Sequence, residues 1–160
     1  MRAEADAIMV GLDTVLVDDP ALTTRFYPGK SPLRIIVGDA SRLKVGLQVL
    51  NKDAETLIYH TGRDIPVELP TGHVRVVVLE PFSLMGVFQD LAVRNIGNLL
   101  IEGGSRLLES VLSTGHWDEA IVIRGVGFFP EGIPAPIVNG ILAESRRSGE
   151  DEVLTFIPKC

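Results

Sequence analysis

Short apolar runs alternate with polar connections along most of the chain. Such runs are typical of strands that are covered on both faces of a sheet. They predict strands at residues 7–10, 33–37, 56–59, 74–79 and 99–101. Residues 83–93 and 105–112 instead repeat their apolar side chains at helical spacing. Because strands and helices alternate, the pattern favours an α/β fold.

The two ends of the chain and the first long connection are less regular. Further strands are predicted at residues 119–124, 137–141 and 153–157. A charged turn at residues 144–151 is predicted to join the last two. Residues 11–32 form a connection of a length that is usually functional or carries short structure of its own. Residues 1–6 have the composition of a helix end, so the chain is expected to begin inside an element.

The most informative stretch is NLLIEGGSRLLESVL, residues 98–112, which predicts a strand, a tight turn and a helix. Gly103 and Gly104 allow a ligand to approach the backbone closely, and Ser105 is a suitable N-cap. The amides and the dipole at a helix start favour an anion such as a phosphate or pyrophosphate. Glu102 could accept hydrogen bonds from a ligand beside it. The alternative is an ordinary βα turn with no ligand.

The second informative stretch lies in the long connection, where Thr14, Asp18 and Arg25 follow a predicted buried strand. Ligands of open α/β sheets bind at such strand ends, and a guanidinium suits a phosphate or carboxylate. The alternative is structural, because Asp18, Asp19 and Pro20 form a turn signal and Arg25 could pair with Asp19.

Composition narrows the functional classes. The 160 residues carry a net charge of −6, which argues against a nucleic-acid partner or an anionic membrane surface. No apolar run reaches the length of a membrane span, and the single cysteine, Cys160, allows no internal disulfide, so a cytoplasmic location is expected. No metal-ligand spacing, catalytic triad, G-x-G-x-x-G fingerprint or phosphate-binding P-loop is present in the sequence.

Taken together, three segments resemble the reductase domain of bifunctional riboflavin-biosynthesis deaminase/reductases. They are DAIMVGLDTVLVDDPALTTR at residues 6–25, LLIEGGSRLLES at residues 99–110 and WDEAIVI at residues 117–123. The resemblance implies a dihydrofolate-reductase-like fold, a three-layer α/β/α arrangement around a mixed, mostly parallel central sheet. It also implies the NADPH-dependent reduction of 5-amino-6-(5-phosphoribosylamino)uracil, in which a hydride passes to C1′ of the ribose.

The resemblance also assigns roles to individual residues. The cofactor-binding positions that it implies are Thr14, Asp18, Ser41, Gly103, Gly104, Ser105, Arg106, Leu107 and Leu108. The substrate-binding positions that it implies are Arg2, Leu22, Arg25 and Glu102. Hydride transfer needs no activated nucleophile, which agrees with the absence of a triad, because the protein mainly holds donor and acceptor in attack geometry.

The expected organisation is a single reductase domain over residues 1–160 that lacks the family's N-terminal strand. The resemblance implies a homodimer, associated with or fused to a deaminase domain. Two alternatives stay open. One is a catalytically silent nucleotide-binding or assembly module, and the other is a dihydrofolate or pteridine reductase on the same fold.

Replacement of Arg25 provides a test of this interpretation. Arg25→Ala is expected to raise the KM for the phosphorylated substrate far more than the KM for NADPH, because a planar guanidinium suits a phosphate. Steady-state kinetics with each reactant varied in turn measures both constants. Equal increases in the two KM values would contradict the phosphate role.

Overall fold

The chain folds as two compact units, Met1–Gly104 and Ser105–Cys160, in a computed structural model of the protein. The structure describes residues 1–24, 29–62, 69–127 and 131–159. Arg25, one of the predicted substrate-binding residues, lies outside these ranges.

The first unit contains five strands and two α-helices among its described residues. The strands are β1 (Ala7–Gly11), β2 (Leu33–Gly38), β3 (Thr56–His60), β4 (Val74–Val78) and β5 (Leu99–Ile101). The helices are α1 (Leu12–Asp18) and α2 (Leu84–Val93), with short 3-10 helices at Arg2–Glu4, Ala40–Arg42 and Gln48–Leu50.

The five strands form one parallel sheet in the order β4-β3-β2-β1-β5. The central strand β1 is buried from Ala7 to Val10, as its continuous apolar run predicts. Because all strands are parallel, their carboxyl ends lie along one edge, where Gly11, Gly38 and Ile101 end their strands. The predicted α/β fold with a mostly parallel central sheet is therefore confirmed.

The second unit combines one helix with an antiparallel sheet. It contains α3 (Ser105–Thr114), β6 (Ala120–Arg124), β7 (Gly140–Ser148) and β8 (Asp151–Pro158). The sheet order is β6-β8-β7, and the β7–β8 pairing is interrupted by a bulge between Leu142 and Glu144. The antiparallel strands of the described chain are therefore in a sheet of their own.

The position of β7 differs from the sequence prediction. The predicted charged turn at residues 144–151 is wrong, because residues 140–148 form the strand and only Gly149 and Glu150 separate it from β8. Nearly every residue of β7 is exposed, so the strand has no buried face to impose apolar alternation on its sequence. A strand of this kind cannot be distinguished from a loop by hydrophobic periodicity.

The long connection after β1 contains a short helix, in agreement with the prediction from its length. It begins with α1, in which Leu12 and Val15 are buried. The helix ends where Asp19 adopts a left-handed conformation, with a φ of 41°. At the start of the chain, the expected helix end is a short 3-10 helix at Arg2–Glu4.

Arg34 is a charged residue at the centre of the parallel sheet, with a relative exposure of 0%. Its guanidinium donates to the carbonyl oxygens of Ala21, Gln48 and Ala54. It also donates to both the carbonyl and the side-chain oxygen of Asn51, at 2.6 and 2.9 Å. Burial lowers the pKa of Arg34 from its usual value. The cation therefore replaces water as the hydrogen-bond donor to the loops around β2.

Replacement of Arg34 should reveal how much this network stabilises the fold. Arg34→Met is expected to lower the free energy of unfolding by about 3 kcal/mol, because several partly buried carbonyl groups would lose their donor. Arg75→Met is the matched control, since Arg75 is an exposed strand residue paired with Glu55 at 3.5 Å. That change should cost less than about 1 kcal/mol. Urea unfolding measures both, and equal losses would contradict the assigned role of Arg34.

Candidate active site

The candidate site lies at the carboxyl edge of the parallel sheet, where the neighbouring strands β1 and β5 end. After β1 the chain returns to the sheet as β2, whereas after β5 it leaves this sheet. A place where two adjacent strands send the chain in different directions is a topological switch point, and open α/β sheets bind ligands there. Both informative stretches of the sequence follow these two strands.

Thr14 lies directly against the glycine pair that follows β5. A Cβ atom on Gly103 would lie 3.2 Å from Thr14 Cγ2, and one on Gly104 would lie 2.9 Å from Thr14 Oγ1. Both glycines have a positive φ, 67° and 74°, which side chains disfavour. Space and backbone conformation thus favour glycine at both positions, because Thr14 already occupies the space that a side chain would take.

The loop after β2 approaches the same helix as Thr14. Arg42 pairs with Asp13 of α1 at 2.9 Å, and a Cβ on Gly38 would lie 2.5 Å from Leu12 Cβ. Asp18 lies four residues after Thr14 and therefore on the same side of α1. The predicted cofactor residues Thr14 and Asp18 of α1 and Ser41 of the loop after β2 therefore lie on two segments that contact each other.

Ser41 is held in its 3-10 helix by Asp39. The Asp39 carboxylate accepts from the Ser41 hydroxyl at 2.7 Å and from the Ser41 amide at 3.0 Å. The hydroxyl bond is the main reason that the pKa of Asp39 is lowered. The Ala40 amide donates to His60 Nδ1 at 3.0 Å, so the loop is also anchored to the end of β3.

Arg2 and Glu102 form a two-point ion pair on the substrate side of the predicted site. Arg2 Nε donates to one carboxylate oxygen at 3.0 Å and Nη2 donates to the other at 2.5 Å. The hydrogen bond to Glu102 is the main reason that the pKa of Arg2 is raised. Each side chain is about one-third exposed, at 31% and 34%, so the pair is open to a ligand. Glu102 itself is fixed because its amide extends the β1–β5 ladder by donating to Met9 at 2.9 Å.

The other predicted residues are placed less directly. Leu22 is 1% exposed and packs in the core cluster with Val10 and Val15. Four predicted cofactor residues form the first turn of α3 in the second unit: Ser105, Arg106, Leu107 and Leu108. The helix includes Ser105 as its first residue rather than beginning after it.

Three residues of this edge were not singled out from the sequence. His60 is 2% exposed, and no described residue is a partner for its Nε2 atom. A Cβ atom on Gly62 would lie 2.5 Å from Asp39 Oδ1. The absence of a side chain at Gly62 therefore allows the carboxylate to lie close to the end of β3. The position of His60 at a strand end was visible in the sequence, but its contact with the loop after β2 depends on the β2–β3 pairing.

The described residues contain neither a membrane-spanning helix nor a cluster of metal ligands. Within the described ranges, no helix has the length and apolar character needed to cross a membrane. No group of three or more His, Cys, Asp or Glu side chains in those ranges is placed to hold a metal ion.

Comparison with known proteins identifies the family. The family model described as the RibD C-terminal domain matches residues 1–126. The chain belongs to the RibD C-terminal domain family. The predicted resemblance to riboflavin-biosynthesis reductases is thereby confirmed.

Relatives in the RibD family agree with this assignment. The riboflavin biosynthesis protein RibD of Aquifex aeolicus is 35% identical over 136 residues, which are 83% of this chain and 38% of that protein. The 2,5-diamino-6-ribosylamino-4(3H)-pyrimidinone 5′-phosphate reductase of Archaeoglobus fulgidus is 34% identical over 140 residues, 78% of this chain and 64% of that protein. The chain therefore spans less than two thirds of the length of either relative.

Solved structures show the same fold. The deaminase/5-amino-6-(5-phosphoribosylamino)uracil reductase of Thermotoga maritima superposes with a TM-score of 0.87 at 24% identity, covering 99% of this chain and 47% of that protein. The riboflavin biosynthesis reductase Rib7 of Saccharomyces cerevisiae superposes with a TM-score of 0.78 at 22% identity, covering 98% and 76%. The dihydrofolate-reductase-like fold class predicted from the sequence is confirmed.

The glycine pair of this RibD-family chain provides a direct test of the site. Gly104→Ala should place a methyl group against Thr14 and should weaken NADPH binding by about tenfold, the equivalent of one lost hydrogen bond. Gly115→Ala is the matched control, because Gly115 has a similar φ of 71° but nothing lies within 4 Å of its Cβ position. Fluorescence titration with NADPH measures the affinity. Equal weakening in both variants would show that backbone strain, and not the Thr14 contact, controls binding.

Proposed function

We propose that this chain catalyses the NADPH-dependent reduction of 5-amino-6-(5-phosphoribosylamino)uracil to the ribitylamino product in riboflavin biosynthesis. The observation that carries the proposal is the contact between Thr14 and the Gly103–Gly104 pair. Two stretches that are distant in the sequence, and that the resemblance assigns to one cofactor, meet at the switch point of the sheet. Membership of the RibD C-terminal domain family supports the same activity.

The residues fit a dinucleotide cofactor. Thr14 packs where a side chain on either glycine would lie, so its hydroxyl is held beside the main chain that leads to α3. We assign Thr14, Gly103 and Gly104 to the cofactor, together with Asp18, Ser41 and the first turn of α3. When bound, the nicotinamide supplies a hydride. The choice of NADPH over NADH is part of the proposal.

Arg2 and Glu102 are assigned to the substrate. Their ion pair already satisfies both groups, so a ligand that enters would share the carboxylate of Glu102 with Arg2. This sharing would orient polar groups of the substrate without a large change in the protein. Leu22 and Arg25 complete the proposed substrate side, with Arg25 assigned to the phosphate.

The names of the relatives differ in the pyrimidine ring of the substrate. The Archaeoglobus fulgidus relative is named for a diaminopyrimidinone and the Thermotoga maritima protein for an aminouracil. Both names contain a phosphorylated ribosylamino group, which is the part that the reduction changes. We favour the uracil form as the substrate of this chain.

The organisation of the working protein is also a proposal. The name of the Thermotoga maritima protein includes a deaminase, which supports a deaminase partner that is fused or associated. We propose that residues 1–160 act as one reductase domain and that the enzyme is a cytoplasmic homodimer.

Purified protein should oxidise NADPH when the phosphoribosylaminouracil is added, with a slower rate for NADH. Loss of absorbance at the nicotinamide band measures the rate, and mass spectrometry identifies the ribityl product. Parallel assays contain the diaminopyrimidinone or dihydrofolate. NADPH binding without turnover of either pyrimidine would favour a silent nucleotide-binding module, whereas turnover of dihydrofolate alone would indicate a dihydrofolate reductase.

A further inference from the structure

The loop that follows β2 carries Ser41 and is held from two sides. On the side of α1, Arg42 pairs with Asp13 at 2.9 Å, but both side chains are more than half exposed, at 53% and 62%. Exposed pairs of this kind stabilise a structure only weakly, because water screens the charges. The stronger anchor of the loop lies on its other side, at the end of β3.

His60, the last residue of β3, is this anchor. Its Nδ1 atom accepts from the Ala40 amide at 3.0 Å, and its side chain is 0% exposed. The Thr61 amide also donates to the Gly38 carbonyl at 3.1 Å, which continues the pairing of β2 with β3. Because the bond from Ala40 to His60 is buried, water does not compete for either partner.

The hydrogen bond to Ala40 defines the protonation of the His60 ring. Since Nδ1 accepts, it carries no proton, and the neutral ring has its proton on Nε2. No described residue is an acceptor for that atom. A buried polar atom without a partner costs free energy, so an apolar side chain would suit this place better if packing alone mattered. What the histidine provides is the acceptor for Ala40.

The Ala40 amide links His60 to Ser41 through a single tight turn. Ala40 begins the 3-10 helix, and Asp39 caps this helix by accepting from the Ser41 amide and hydroxyl. The Asp39 carboxylate itself lies 3.8 Å from His60 Nδ1. Since Ala40 stands between Asp39 and Ser41, fixing its amide also fixes the carboxylate and the hydroxyl on either side of it.

We propose that His60 is a positioning residue for the cofactor, acting through the Ala40 amide on Ser41. The inference rests on the proposed function, in which Ser41 serves NADPH. In the parallel sheet, β2 and β1 separate β3 from β5, the strand that leads to the proposed substrate residue Glu102. Loss of the His60 acceptor therefore weakens cofactor binding and leaves substrate binding nearly unchanged.

Two amide replacements of His60 separate the acceptor from the rest of the ring. The side-chain oxygen of asparagine can occupy the position of Nδ1, whereas that of glutamine reaches the position of Nε2, away from Ala40. His60→Gln is expected to raise the Kd for NADPH by about tenfold, the effect of one lost hydrogen bond, and the KM for the phosphoribosylaminouracil by less than about twofold. His60→Asn should keep the Kd within about threefold of the wild-type value. Equal weakening in the two variants, measured by fluorescence titration, would overturn the inference.

Tyr59→Phe is the matched control on the same strand. Tyr59 precedes His60 and therefore faces the other side of the sheet, where its hydroxyl donates to Asp90 of α2 at 2.7 Å. This variant also loses one hydrogen bond of a side chain on β3, but it leaves the loop after β2 untouched. The Kd for NADPH and the KM for the pyrimidine should both stay unchanged. A loss of NADPH affinity equal to that of His60→Gln would show a general effect of destabilisation and contradict the inference.

Gly62→Ala disturbs the same contact while His60 is retained. The added Cβ would lie 2.7 Å from His60 Cε1 and 2.5 Å from Asp39 Oδ1, so the ring or the carboxylate must shift. NADPH binding should weaken here as well. In combination with Ser41→Ala, His60→Gln should add less than about twofold to the Kd, because residues that act through one contact are not additive. Full additivity would overturn the route through Ser41.

Hydrogen–deuterium exchange without ligand separates the inference from the proposed function. Residues 38–43 should exchange faster in His60→Gln than in the wild type, but not in Tyr59→Phe. Unchanged exchange in His60→Gln, with NADPH bound normally by the wild type, would overturn the positioning role and leave the proposed function standing. A wild-type protein that does not bind NADPH would overturn the proposed function and, with it, the role of His60 in cofactor binding.

Discussion

The buried guanidinium of Arg34 is the interaction on which the loops around β2 depend. A full charge in the middle of a parallel sheet is costly unless its hydrogen bonds are supplied by the protein. Here the acceptors are carbonyl groups from the loops before and after β2 together with one asparagine side chain. Arg34 of β2 thereby fixes the position of these loops. The turn after α1 is held in place by this contact with β2 rather than by its own sequence alone.

The sequence predicts the elements that have a buried face. The strands β1 to β5 were all recognisable because apolar runs record burial, and the glycine pair after β5 was recognisable because few other residues permit such a turn. It also pointed to Thr14 and to Glu102 as neighbours of strand ends, although their roles came from the family resemblance. The hydrophobic pattern alone does not reveal which strands pair, because pairing depends on the order of the strands in the sheet.

The features that escaped prediction have two physical causes. Arg34 interrupts an apolar run, and no local rule states that its partners are distant carbonyls. The bond from Ala40 to His60 exists only because β2 and β3 are adjacent in register. The exposed strand β7 left little hydrophobic signal, and only its first two residues fall within a predicted strand. For Arg34 and His60 the deciding interaction joins segments that only the fold brings together, whereas β7 buries almost no side chains.

The sequence of β7 has a consequence for association between chains. An edge strand has unpaired amides and carbonyls that can pair with a strand of another chain. Proteins limit such aggregation with charges and bulges. Among the described strands of the second sheet, β7 lies at an edge, carries Arg146 and Arg147, and is bulged near Leu142. The charged residues that obscured β7 in the sequence thus also disfavour the pairing of its outer edge with strands of other chains.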